Sequence, residues 1–99
     1  MTKAELIKEW LDYSHTDLKS AEYLTGMKPV PLEIICYHCQ QSVEKVLKAY
    51  LIFIDIRPPK THDLDVLIEQ CQINKKIASL RDVTIPLNDY SIMVRYCQL

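Results

Sequence analysis

Apolar side chains recur every three or four positions between Leu32 and Asp55, and this spacing predicts a long amphipathic helix. At about 1.5 Å per residue, a helix of about 22 residues is roughly 33 Å long. Two neighbouring apolar rows make the buried arc wide enough for two partner helices. The first row is Ile35, Cys39, Ser42, Val46, Ala49 and Phe53, and the second is Cys36, Val43, Leu47, Tyr50 and Ile54. The pattern places the polar residues on the opposite side: Gln40, Gln41, Glu44, Lys45 and Lys48.

A preceding helix is predicted to begin after Thr2, because Thr2-Lys3-Ala4-Glu5 has the form of a capping box. We expect it to end near Gly26, the only glycine, which can adopt the left-handed conformation that closes helices. Asp17 lies at the edge of its apolar stripe, where a solvated rim position is the simplest interpretation. If Asp17 is buried, it requires a partner, for which Lys45 and His38 are the candidates. The stripe consists of Ile7, Trp10, Leu11, Ser14, Leu18, Ala21 and Leu24.

Prolines mark both connections between the predicted helices. The segment Met27–Pro31 contains two prolines and excludes a helix, and the pair Pro58-Pro59 ends the long helix. Thr61 is then expected to be the N-cap of a third, shorter helix. Its first turn contains Asp63 and Asp65, and its inward side is Leu64, Leu67, Ile68 and Cys71.

Beyond residue 72 the pattern is weaker. It indicates a short helical turn around Ile77 and Leu80 and a further helix that opens at Pro86. No paired strands are predicted. Together the segments predict one all-α domain over residues 1–99, folded as an antiparallel up-and-down helical bundle.

Composition restricts the range of functions. The chain has 99 residues, a net charge of −1 and 48% hydrophobic residues, which is ordinary for a soluble domain and gives no bulk electrostatic reason to bind nucleic acid or a membrane. There is no long apolar run and no signal peptide pattern, so a cytoplasmic location is expected. A domain this small often needs a second copy to complete its core.

Four cysteines raise the question of a metal or redox site. Cys36 and Cys39 form a CxxC motif within the apolar rows of the long helix, while Cys71 and Cys97 lie at spacings that do not suit a tetrahedral site. We therefore expect core packing for these cysteines, with no metal and no cofactor.

Three segments together resemble the HEPN domain family. They are Trp10 with Asp17-Leu18 and Ala21, the run from Tyr37 to Ala49, and the turn Pro58-Pro59-Lys60-Thr61-His62-Asp63-Leu64. Leu87-Asn88-Asp89-Tyr90 and Arg95-Tyr96 are similar to the family's last motif. The resemblance covers nearly the whole chain. It implies a helical bundle that forms a homodimer and is often encoded beside a minimal nucleotidyltransferase, in what looks like a toxin–antitoxin pair.

Two features depart from the family's usual pattern. Members commonly have Arg-Tyr-Pro where this chain has Arg95-Tyr96-Cys97, and they continue into a further helix where this sequence stops at Leu99. The resemblance therefore implies either a naturally short protein or a last helix that is missing.

Many members of the family are ribonucleases that need no metal and use an arginine followed four to six residues later by a histidine. Arg57 and His62 satisfy that spacing, and an arginine can hold phosphate oxygens while a histidine moves a proton. However, Pro58 occupies a position that is commonly small and polar, and the family's motif lies nearer the last helix. Arg95 matches that place better, but no histidine follows it. Turn formation and helix capping are the alternative explanation for the Arg57–His62 segment.

A second candidate site is a groove for nucleotide or RNA phosphate, lined by Gln41, Lys45, Lys48 and Arg95. The leading hypothesis is thus a noncatalytic or weakly active HEPN module that forms a homodimer and partners a nucleotidyltransferase. The alternatives are a metal-independent endoribonuclease toxin and a structural dimerisation module without a ligand.

Overall fold

The computed structural model describes residues 1–71, which contain three α-helices and no strand. They are α1 (Lys3–Leu24), α2 (Leu32–Phe53) and α3 (Leu64–Gln70). Contacts between α1 and α2 run in opposite order along the chain, from Ser14 with Ser42, through Trp10 with Lys48, to Lys3 with Asp55 at the end of α2. The two long helices are therefore antiparallel. The predicted all-helical fold is confirmed, while the helical segments predicted around Ile77 and after Pro86 lie outside the described residues.

Helix α1 begins as predicted, because the Thr2 hydroxyl accepts the Glu5 amide at 3.1 Å. Its end differs from the prediction. Gly26 does not adopt a left-handed conformation, and the C-cap is Thr25 in the right-handed region. The hydroxyl of Thr25 donates to the Glu22 carbonyl at 2.6 Å, and the amides of Thr25 and Gly26 bond carbonyls three residues earlier. These turns satisfy the helix end without a left-handed residue.

Helix α2 ends before the prolines that were expected to stop it. Its last residue is Phe53, and Asp55 follows with a left-handed φ of 65°. The amide of Ile56 donates to the Leu51 carbonyl at 2.8 Å and the amide of Asp55 to the Ile52 carbonyl at 3.0 Å. This pair of bonds is a Schellman motif, with an aspartate at the position usually held by glycine.

The described core lies between the second half of α2 and α3. Its buried members are Leu47, Leu51, Leu64, Leu67, Ile68 and Cys71, with Val43, Tyr50, Ile54 and Ile56 packed against them. Several of these belong to the second apolar row predicted for α2, and all four inward residues predicted for α3 are present. The other predicted row is only partly right, because Val46 and Phe53 are exposed.

The polar side of α2 is buried, which contradicts the amphipathic prediction. Gln40, Gln41, Glu44 and Lys48 are all buried, with Glu44 only 2% exposed. The helix is therefore rotated relative to the predicted orientation, so that Val46 and Phe53 face solvent instead. The physical reason is that these polar groups bond one another and residues far along the chain, which removes the penalty for burying them.

Candidate functional site

A connected set of polar side chains lies along the buried side of α2. The Gln41 amide donates to Gln40 Oε1 at 2.9 Å, and Lys48 Nζ donates to Glu44 Oε2 at 3.3 Å. Lys48 also lies over the ring of Trp10, with its nitrogen 5.5 Å from the ring centroid, within the range of a cation–π contact. Glu44 and Lys48, predicted to lie on the polar side of α2, thus form a buried ion pair within that helix. Lys48 connects the pair to α1 through Trp10.

His62 is attached to this polar set at two points. Its Nδ1 lies 2.9 Å from Glu44 Oε1, and its backbone carbonyl accepts Gln40 Nε2 at 3.0 Å. The imidazole is nevertheless 50% exposed, so that the ring spans from the buried carboxylate to solvent. A histidine that is bonded to a carboxylate and open to solvent is an arrangement suited to proton transfer.

The segment of residues 54–63 between α2 and α3, called here the linker, places Arg57 and Lys60 in solvent. Within residues 1–71 neither side chain forms an ion pair. Thr61 is not the N-cap of α3 as predicted, because its hydroxyl accepts the Asp63 amide at 3.1 Å in a local turn. The N-cap is Asp63, whose carboxylate accepts the Asp65 amide at 2.9 Å.

A second histidine–carboxylate pair joins α1 to α2 on another side of the helix. Asp17 Oδ1 lies 3.0 Å from Nδ1 of His38, and Asp17 Oδ2 accepts Lys45 Nζ. Asp17 is thus largely enclosed and bonded to both of the candidate partners, and the solvated rim position was wrong. Next to this pair, Ser14 and Ser42 exchange hydrogen bonds of 2.8 and 2.9 Å between side chains and carbonyls. His38 therefore has a structural role in the α1–α2 contact.

The predicted site residues fall into separate places. Arg57 and His62 both lie on the linker, where the structure records no contact between them. Of the predicted groove, Gln41 and Lys48 are buried and Lys45 is paired with Asp17, while Arg95 lies outside the described residues. The groove as a whole stays a prediction.

Sequence reasoning missed the roles of Gln40 and Glu44 as partners of His62. A signal for them was present: Tyr37 and Leu51 lie seven residues before and after Glu44, two helical turns away, and so share its face. Because a tyrosine and a leucine lie at the two ends of this polar row, the sequence is equally compatible with a buried face and with a solvated face.

The cysteines of the described region are free thiols. Cys71 is fully buried in the core, and burial raises the pKa of its thiol. Burial also raises the pKa of the Cys39 thiol, and the neighbouring Cys36 adds to the effect. The fourth cysteine, Cys97, lies outside the described residues.

No helix within residues 1–71 is long and apolar enough to cross a membrane.

Comparisons with known proteins identify the family. Neither the curated proteins nor the solved structures yield a match to this chain. A family model does: the HEPN domain model matches residues 7–99, which include α2, α3, the linker and all but the first four residues of α1. The protein therefore belongs to the HEPN domain family.

Proposed function

We propose that this protein is a HEPN module that binds the phosphate groups of RNA or of a nucleotide at the linker, and that it acts as a homodimer beside a minimal nucleotidyltransferase. One observation supports the binding site best. Of the eight lysines and arginines in residues 1–71, Lys3, Lys8, Lys45 and Lys48 are in ion pairs. The other four are exposed and have no such pair in this region, and of these only Arg57 and Lys60 precede His62 on one short segment.

The chemistry of these three side chains suits a phosphate ligand. The planar guanidinium of Arg57 can donate two parallel hydrogen bonds to phosphate oxygens, and Lys60 adds a mobile point charge. By contrast, Lys45 and Lys48 could reach a phosphate only after leaving Asp17 and Glu44, which makes the linker the better candidate.

One feature supports association with a partner protein. Large apolar side chains are exposed on both long helices, among them Leu11, Leu18, Val46 and Phe53, and Phe53 is 62% exposed. Patches of exposed apolar side chains often form protein–protein interfaces. Sedimentation of the purified protein should give a mass of twice 11.6 kDa if it is a homodimer, and a single-chain mass would reject that part of the proposal.

Binding can be tested by fluorescence anisotropy with a labelled RNA oligonucleotide of mixed sequence in EDTA. The variants are Arg57→Ala and Lys60→Ala, and the matched controls are Lys19→Ala and Lys28→Ala, which remove one exposed positive charge from α1 or its following turn. Each linker variant should raise Kd and lower the magnitude of the salt slope by about 0.7 for each lost phosphate contact on a single strand. The controls should leave both unchanged. Equal effects of all four variants would mean that binding follows net charge and not the linker.

The second candidate function is that of a metal-independent endoribonuclease, and the contact between His62 and Glu44 favours it. In this case the same RNA should be cleaved in EDTA, and both His62→Ala and Arg57→Ala should abolish cleavage. Intact RNA after prolonged incubation with the wild-type protein would reject this alternative and leave the binding module. Co-purification with a nucleotidyltransferase encoded next to this gene would test the partner.

A further inference from the structure

We propose that Cys36 and Cys39 bind one Cu(I) ion between their two thiolates, in the first half of α2. The site lies on the helix and not on the linker, so it does not depend on the proposed phosphate binding. The ligand class is a soft cation that accepts two sulfur ligands, and Cu(I) is the common biological ion of this kind.

Both cysteines are accessible, which distinguishes them from the other thiol of the described region. Cys71 is fully buried in the core, whereas Cys36 and Cys39 are only partly buried and lie outside the core cluster. The expected core packing is therefore right for Cys71 and wrong for this pair. Both are free thiols, and no polar group of residues 1–71 is bonded to either of them.

The spacing of the two cysteines favours chelation of an ion over a disulfide. They are three residues apart within the continuous helix α2, so their Cβ atoms are about 5–6 Å apart on one face. A disulfide requires a Cβ separation of about 3.5–4.5 Å and would have to distort the helix. A metal ion adds two bonds of about 2.3 Å each, which allows the sulfur atoms to be as much as about 4.6 Å apart. Helix α2 can thus hold the ion in its regular conformation.

The other donors near the pair indicate the kind of ion. His38 lies between the two cysteines in the sequence, but its Nδ1 is 3.0 Å from Asp17 Oδ1, so the ring is engaged with α1. Residues 1–71 contain no group of three or more histidine, cysteine or acidic side chains that could hold a metal ion. This region therefore does not offer the four ligands that Zn(II) takes in structural sites, whereas Cu(I) is stable with two thiolates.

The surroundings of the two thiols also suit a soft cation. Leu32 lies four residues before Cys36, and Val43 lies four residues after Cys39, so both apolar side chains share the face of the pair. An apolar shell limits the access of water to a metal site. Burial and the charge of Cys36 raise the pKa of the Cys39 thiol, and a cation between the two sulfur atoms removes the repulsion between the thiolates.

The first test measures competition for Cu(I) between the full 99-residue protein and bicinchoninate, a chelator whose Cu(I) complex is coloured. The titration is made without oxygen and with ascorbate as the reductant. We expect the protein to remove one Cu(I) per chain from the chelator. No transfer would overturn the inference. One Cu(I) for every two chains would also overturn it, because the ion would then lie between the thiolates of two copies.

Four variants identify the ligands. Cys36→Ala and Cys39→Ala should each raise the Kd for Cu(I) by more than about 100-fold, because the loss of a residue that merely supports a ligand already costs about 10- to 100-fold. The matched controls are Cys71→Ala and Cys97→Ala, which remove the two other thiols of the chain and should keep one tightly bound Cu(I). If circular dichroism shows that Cys71→Ala does not fold, Cys97→Ala is the control. An equal loss in a folded control, or tight binding in either of the first two variants, would refute the pair as the ligands.

X-ray absorption spectroscopy of the Cu(I) protein counts the ligands directly. We expect two sulfur neighbours and no nitrogen or oxygen neighbour, and three or more ligands would overturn the two-thiolate site. The spacing argument is tested separately by mass spectrometry of the metal-free, folded protein after incubation with oxidised glutathione. We expect no disulfide between Cys36 and Cys39. Formation of that disulfide would contradict the helical separation of the two thiols on which the inference rests.

Discussion

The buried ion pair between Glu44 and Lys48 makes a strong prediction about stability. Replacing Glu44 with alanine leaves the Lys48 ammonium, which is only 7% exposed as a residue, without an anionic partner. The Trp10 ring 5.5 Å from Lys48 Nζ offsets only part of this loss, because a desolvated cation–π contact typically contributes about 2 kcal/mol. His62 Nδ1 also loses its partner, but that ring is half exposed and can turn to water.

The expected loss is dominated by the lysine. Removing one member of a buried ion pair typically costs about 3–5 kcal/mol, because the remaining charge stays buried and uncompensated. A small domain has a total free energy of unfolding of about 5–15 kcal/mol. For a domain of about this length, such a loss lowers Tm by at least about 12 °C. Glu44→Ala should therefore be among the most destabilising single substitutions in α2.

Urea unfolding, followed by circular dichroism, measures this loss as a shift in midpoint at constant slope. The matched control is Asp12→Ala, which breaks the Lys8–Asp12 pair on α1; that pair also spans four residues but is exposed on both sides. This control should leave the midpoint within error. The double substitution of Glu44→Leu with Lys48→Met should recover most of the stability, since apolar residues of similar volume often replace a buried pair without loss. A loss below about 1 kcal/mol in Glu44→Ala, the range of exposed pairs, would refute the burial of this face.

Three other predictions follow from the fold. Leu51→Ala should cost about 2–5 kcal/mol in urea unfolding because Leu51 is fully buried, whereas Phe53→Ala should change the stability of the single chain by no more than about 0.5 kcal/mol because Phe53 is exposed there. Asp55→Gly should have a free energy of unfolding about 1–2 kcal/mol higher than Asp55→Ala, because Asp55 has a φ of 65° that glycine adopts without strain. Both variants lose the exposed ion pair with Lys3, so equal stability of the two would contradict the left-handed assignment. Burial raises the pKa of the Cys71 thiol above its ordinary value of 9.0, so the folded state holds that proton more tightly than the unfolded state. Stability should then be unaffected by this group below about pH 9 and fall as the pH rises through the folded pKa. Cys71→Ala should flatten that alkaline decline, and an unchanged decline would assign it to other groups.

Local features of the structure could be predicted from sequence because their causes are local. The capping box at Thr2 marked the start of α1, since the hydroxyl and the amide that it accepts are three residues apart. The inward residues of α3 followed from their spacing, and Leu64, Leu67 and Cys71 are all in the core. Helix ends were less predictable. Asp55 closes α2 in a conformation more typical of glycine, and no sequence rule singles out an aspartate for that position.

The polar side of α2 could not be predicted because its partners are distant in the sequence. Glu44 meets His62 over a separation of 18 residues, and Lys45 meets Asp17 over 28. Periodicity shows which residues share a helix face, but it does not show what that face contacts.

The contacts made by the polar face of α2 change the functional hypothesis as well as the fold. In the sequence, Lys45 and Lys48 look like two cations available to a phosphate, and in the structure each is already neutralised by a carboxylate. Counting basic residues along a helix therefore overstates the charge that a ligand meets on this protein. A ligand that approaches α2 and the linker meets Arg57 and Lys60, so the search for a phosphate site moves from the helix to the linker.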